Sequence, residues 1–264
     1  MSYGKITCLS TGRVHILMLR IDILTLFPEA FSGYLSHSIV GRALERQLVD
    51  IRLHDIRSFT HDRHHTVDDY CYGGGAGMVM KPEPLFEAVE HLRSDIGEGD
   101  YPVILLTPQG KLFTQETAAR YAAGNNIIMI CGHYEGVDER VAEHLVTDEI
   151  SIGDYLLSGG EPAAMVVTDC LVRLVPGAIG SDISLVEESH VDGLLEYPQY
   201  TRPPDFRGWK VPDMLLSGNH KEISAWRRRQ SILRTARRRP DLLSKAKLTD
   251  TEVNLVKSTD LNNN

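Results

Sequence analysis

Apolar residues in the first two thirds of the chain come in short unbroken runs. Between these runs they recur every three or four positions. Residues 20–27 (RIDILTLF) and 49–56 (VDIRLHDI) read as strands. VILLT (103–107) and IIMIC (127–131) are apolar throughout and rich in β-branched side chains, as strands buried on both faces of a parallel sheet require. The intervening patterns are helical. Residues 84–92 put Leu85, Phe86, Val89 and Leu92 on one face. Residues 114–123 open on Thr114, a capping residue, and stop at Gly124. Residues 162–175 open on a proline suited to a first helical turn and end before Pro176-Gly177. Strand and helix alternate, which predicts an α/β domain with a mainly parallel sheet.

The pattern changes after Pro176. Residues 177–193 have few large apolar side chains and no period, so they read as a linker. Residues 197–210 are rich in proline, aromatics and arginine. They predict irregular structure clamped by Tyr197, Tyr200, Phe206 and Trp209. A helix follows. Asn219 with Glu222 has capping-box spacing, Ile223, Trp226, Gln230 and Leu233 trace one face, and Pro240 stops the run. The closing LNNN reads as a frayed tail.

Composition narrows the class. The chain has 264 residues, 42% hydrophobic and 24% charged, enough to bury a sizeable core. No stretch approaches the ~20 apolar residues of a membrane span, and Arg13 and His15 interrupt the N-terminal apolar run too early for a signal peptide. Cys8, Cys71, Cys131 and Cys170 form no C-x-x-C pair, which suits reduced thiols in a cytoplasmic protein. The net charge is −8, yet residues 220–247 hold ten Lys/Arg against Glu222 and Asp241. That segment carries +8 and the rest therefore −16. Such asymmetry suits a basic module that grips a polyanion, although charge alone fits a solvated helix face equally well.

Glycines concentrate in loops that follow expected strands: TPQG (107–110), CGHYEGVDER (131–140) and SIGDYLLSGGE (151–161). In open parallel sheets, ligands bind beyond the carboxyl ends of strands, so the three loops predict one crevice. YGGGAGMVM (72–80) lacks the G-K-[ST] ending of a phosphate loop, and no G-x-G-x-x-G follows a strand. A ligand with an adenine and an uncharged-to-cationic tail fits such loops better than a triphosphate or a dinucleotide. His61 and His65 have the i, i+4 spacing of zinc ligands, but the Glu of H-E-x-x-H and a third ligand are missing. A polar loop against RNA or a partner subunit is the reading preferred over a metal site.

FTHDRHHTVDDYCYGGGAGMVM (59–80), TPQG, CGHYEGVDER, SIGDYLLSGGE, RLVPG (173–177) and GLLEYPQYTRP (193–203) stand in the order and spacing of bacterial tRNA (guanine-N1-)-methyltransferases. The chain thus resembles the TrmD family of SPOUT methyltransferases over roughly residues 18 to 250. Family members begin close to the motif around Met18, which makes residues 1–17 an extension or an alternative start. The resemblance implies a deep trefoil knot in a cofactor-binding domain over 18–179, an interdomain linker over 180–195, and a mostly helical tRNA-binding domain over 196–264. It implies a homodimer whose active sites are shared by two subunits. The methyl donor would be S-adenosylmethionine, and the acceptor the guanosine just 3′ of the tRNA anticodon. Mg²⁺ is associated with this reaction type, but no ligand cluster is evident for it.

Residue by residue, the resemblance implies a donor pocket lined by Leu106, Thr107, Pro108 and Gln109. Gly132, Tyr134 and Glu135 would come from the second loop, and Ile152, Gly153, Asp154, Tyr155, Leu156, Leu157, Gly159 and Gly160 from the third. Guanine N1 is protonated at neutral pH, so methylation needs a base, and charge growing on O6 needs a cation. The resemblance gives the base role to Glu188, where the family pattern has Asp, and the O6 role to Arg173. Glu135 would help hold the guanine or the loop. A different RNA target, or an RNA-binding protein with a lapsed site, are the competing readings.

Overall fold

The structure, a computed structural model of the chain, describes residues 18–75, 77–97, 99–179, 189 and 193–260. These fall into two compact units that divide between residues 180 and 181.

In the first unit β1 (Leu19–Thr25) ends before a 3₁₀ turn at Pro28–Phe31, which leads into α1 (Ser32–Leu35) and α2 (Ser38–Glu45). The strand β2 (Val49–Asp55) follows, and then a short antiparallel pair, β3 (Asp68–Tyr70) with β4 (Met78–Met80). The pair was not legible in the sequence, because three-residue strands show no period. The chain continues through α3 (Pro82–Ile96), β5 (Val103–Leu112), α4 (Gln115–Ala122), β6 (Asn126–Cys131), α5 (Glu139–His144), β7 (Asp148–Ser151) and α6 (Glu161–Leu174). Five strands make one sheet in the order β2-β1-β6-β5-β7, with every pairing parallel.

The sheet is buried on both sides, as its apolar runs require. Ile21 and Ile23 of β1 and Ile127 and Met129 of β6 pack under α2, α4 and α6. Leu24, Ile128 and Ile130 alternate to the opposite face, under α3 and α5. Helix boundaries follow local chemistry. Thr114 caps α4 by accepting from Thr117 N at 3.3 Å, and Gly97 closes α3 with φ 90°. Asp22 is the one charged residue fully buried in β1. Burial pushes its carboxyl up, but hydrogen bonds from His54 (2.7 Å) and Arg20 (2.7 Å) outweigh that and hold it below the usual range.

The apolar run that suggested a strand over 103–107 continues past it. Leu106 and Lys111 both register with Ile150 of β7, so residues 107–110 leave the sheet and return to the same point. The excursion lies directly on β7: a Cβ on Gly110 would sit 2.5 Å from the Glu149 carbonyl carbon. Only glycine permits that approach.

The second unit holds a hairpin of β8 (Asp205–Phe206) and β9 (Trp209–Lys210), then α7 (Asp213–Leu216), α8 (His220–Arg238) and α9 (Asp250–Asp260). Asn219 caps α8 by accepting from Glu222 N at 3.4 Å. The buried face of α8 is Ser231, Ile232 and Thr235, rotated from the expected stripe, whose four members are half-buried. Arg227, Arg228 and Arg234 flank this face and are themselves half-buried, which a polar reading of arginine does not anticipate. The Arg227 guanidinium lies 4.7 Å over the Tyr197 ring, Arg228 bonds Glu252 at 2.8 Å, and Arg234 bonds the Glu196 carbonyl at 3.2 Å. The expected aromatic clamp is also corrected. Tyr197 is buried, but Tyr200, Phe206 and Trp209 are exposed.

Candidate active site

The carboxyl ends of β5, β6 and β7 open onto a pocket of about 320 Å³. Leu106, Thr107, Pro108 and Gln109 line it from the β5 excursion. Gly132, His133, Tyr134 and Glu135 line it from the loop after β6, and Ile152, Gly153, Tyr155, Leu156, Leu157, Gly159 and Gly160 from the segment after β7. Three loops distant in sequence thus share one cavity. Asp154 is exposed and does not line it. Glu188 lies outside the described residues.

Arg173 does not line the pocket either. The first turn of α6 touches the cavity through Ala163, and the helix then runs away from it. Arg173 stands ten residues beyond Ala163, a distance of about 15 Å along the axis.

The glycines after β7 act chiefly on the protein itself. A Cβ on Gly160 would sit 2.7 Å from the Cys131 Cα, and one on Gly159 would enter the His133 ring at 2.7 Å. These absences let the two loops zip together: Gly160 N bonds the Gly132 carbonyl at 2.8 Å, and His133 bridges Gly159. Gly132 differs. A Cβ there would meet Leu106 O at an ordinary 3.5 Å, so its bareness faces the cavity.

Two carboxylates at the site have identifiable supports, Glu135 in the lining and Glu161 next to the lining residue Gly160. Glu135 lies against Gly77, where a Cβ would come 2.5 Å from its Cγ. Tyr134 before it adopts φ 59°, and the turn closes with Gly136 N on His133 O at 3.0 Å. Glu161, buried at the start of α6, accepts from Thr25 Oγ1 at 2.7 Å, and Thr25 in turn accepts from Phe27 N at 3.0 Å. Burial first, and then the charge of Glu161, push the neighbouring Cys131 thiol well up, so it stays protonated. Sequence reading missed Glu161 and His133, although an acid just before a first-turn proline was a usable signal.

The electrostatics select the ligand class. Glu135, Glu139 and Glu149 line the cavity, and among the described lining residues none is Lys or Arg. A phosphate would be repelled there, whereas a sulfonium compound with a net positive charge is favoured. The apolar side chains of Leu106, Ile152 and Leu157 suit the faces of a purine. The residues present therefore fit S-adenosylmethionine. Residues 61–65, the other candidate ligand group, form a turn around Asp62, which accepts from His64 N at 2.7 Å and Thr66 N at 2.9 Å. His61 there bonds Glu87 at 2.8 Å. No cluster able to hold a metal ion occurs among the described residues.

Fold and pocket together define an α/β protein with a loop-built, acidic site for a neutral or cationic small molecule. Comparison with known proteins gives the family. Residues 19–245 match the family model described as tRNA (Guanine-1)-methyltransferase TrmD. The chain is 59% identical to the tRNA (guanine-N(1)-)-methyltransferase of Geobacillus kaustophilus over 88% of its length and 94% of that protein. It is 60% identical to that of Brevibacillus brevis over the same shares, and 57% identical to one of Dehalococcoides mccartyi over 90% and 96%. The chain belongs to the TrmD family.

Proposed function

We infer that the protein methylates N1 of guanosine in tRNA, at the position immediately 3′ of the anticodon, with S-adenosylmethionine as donor. The acidic pocket at the ends of β5, β6 and β7, with no Lys or Arg among its described lining residues, carries the reading within a chain of this family. When bound, the donor supplies an electrophilic methyl group. The backbone of the three loops holds the adenosine, and Leu157 covers its face. Glu188 takes the proton from guanine N1, Arg173 balances charge on O6, and Glu135 steadies the acceptor side of the pocket. A positioned base is worth roughly 10²–10⁴-fold in rate, and alignment of methyl and N1 supplies much of the rest.

The protein acts as a homodimer whose sites take residues from both chains. The ~15 Å along α6 between the lining residue Ala163 and Arg173 supports this, because it carries Arg173 away from the pocket of its own chain. A trefoil knot in the first unit is part of the same reading. The C-terminal unit holds the anticodon stem-loop.

Methyl transfer to an unmodified tRNA transcript, followed by mass mapping of the product, tests the activity. One added methyl on N1 of the guanosine 3′ of the anticodon is expected. Normal donor binding with no methylation there would overturn it.

A further inference from the structure

The β8–β9 hairpin places two aromatic rings where the protein gains nothing from them internally. Phe206 and Trp209 face each other across the two strands, so both project from one face of the ribbon. Their ring centroids are 6.2 Å apart, and they are 52% and 71% exposed. The hairpin is stiff. Its central residues, Arg207 and Gly208, have φ 58° and 84°, the signature of a tight type I′ turn. Gly208 N bonds Asp205 Oδ1 at 2.9 Å, and Val211 N bonds the Pro204 carbonyl at 2.9 Å. A cation accompanies the rings. The Arg207 guanidinium sits 5.2 Å from the Phe206 centroid, and Arg202 is exposed in the same segment, while Lys210, paired with Asp205, projects from the opposite face of the ribbon.

We propose that this hairpin is a stacking platform for an unpaired nucleobase of the RNA substrate, with Trp209 beneath the base and Arg207 on a flanking phosphate. Exposed rings set among cations are the chemistry of single-stranded nucleic-acid recognition. A protein partner would cover the aromatic face with apolar side chains and would have to bury the Arg207 guanidinium at its margin. A double-stranded RNA would offer no free base face. The proposal rests on the tRNA-modifying reading above and adds the residues that read the loop.

The chain has two tryptophans, Trp209 and Trp226, which makes the platform directly observable. In the full-length Trp226→Phe protein, emission comes from Trp209 alone. Saturation with an unmodified tRNA transcript should quench it, and a fully paired RNA duplex at equal concentration should not. Trp209→Ala should raise KM for tRNA by roughly fivefold to a hundredfold, from the usual strength of base–aromatic stacking. It should leave kcat and donor affinity unchanged, and Trp209→Phe should recover most of the loss. Methylation that proceeds with no change in Trp209 emission, or a Trp209→Ala variant with unaltered KM, would overturn the platform while leaving the activity intact. Quenching that tracks protein concentration without RNA would also overturn it, in favour of self-association. Absence of methylation in every variant would instead count against the functional reading itself.

Discussion

Glu161 keeps a carboxylate buried under the pocket, and the Thr25 hydroxyl meets it at 2.7 Å. Removing that hydroxyl leaves a buried acceptor short of its donor. Thr25→Val should therefore cost about 1–3 kcal/mol of stability, read from urea denaturation, and Thr25→Ser should restore it. The glycines of the loops separate in the same way. Gly160→Ala would drive a methyl group against the Cys131 backbone, so both melting temperature and donor binding should fall. Gly132→Ala makes only an ordinary contact. It should keep the melting temperature of the parent protein and weaken donor binding, as calorimetric titration would show. The sequence exposed these glycines as a group but not this division, because a Cβ contact depends on which strand lies behind each residue. It marked Glu161 as an acid at a helix start but was silent on its burial, which follows from the position of β1, far away along the chain.

Among the elements, the basic helix α8 shows best where pattern reading stops. Its cap, its end at Pro240 and its charge were all legible. Its buried face was not, since arginines count as polar in any pattern while their stems pack like apolar chains. The +8 segment consequently contains two kinds of arginine. Arg228 ties α8 to α9 through Glu252, while Arg237 and Arg238 are exposed at the helix end. Arg237→Ala with Arg238→Ala should leave stability unchanged. The slope of log K for tRNA against log salt should become shallower by roughly 0.7–0.9 per arginine removed. The Arg228 pair has a pH signature. The hydrogen bond from Arg228, partly opposed by burial, depresses the Glu252 carboxyl to about 2 from 4.5. Its contribution is complete above about pH 4.5 and is lost as pH falls towards about 2. Amide exchange along α9 should accelerate over that window, and Glu252→Gln should remove the dependence.

On the scale of the whole molecule, strand–helix alternation was enough to predict the parallel sheet, and loop glycines were enough to predict a crevice at its carboxyl edge. The sequence pattern held no sign that Arg173 would stand some 15 Å along α6 from the pocket, because helix length becomes a distance only once the helix origin is known. If each site joins Glu135 of one chain to Arg173 of its partner, two inactive variants should complement. Arg173→Ala and Glu135→Ala chains, unfolded together and refolded as a mixture, should regain roughly a quarter of the parent activity, as random pairing of two chains in a symmetric dimer dictates. Sites confined to single chains would regain none.

The three loops also differ in how freely they can move. The 107–110 excursion is stitched to Ile150 at both ends. The loop after β6 is held to β4 by bonds from Glu135 N to Met78 O, Met80 N to Gly136 O and Asp138 N to Met80 O. The segment from Gly153 to Ser158 has, among the bonds of the described residues, only those it makes with its own neighbours, Ser151 and Ile152 included. Its Leu156 is 84% exposed. Two walls of the pocket are tied to neighbouring strands, and the third is held, among the described residues, only by its own neighbours. If the proposed donor enters past that third wall, a swing of the wall would admit it without breaking a sheet bond.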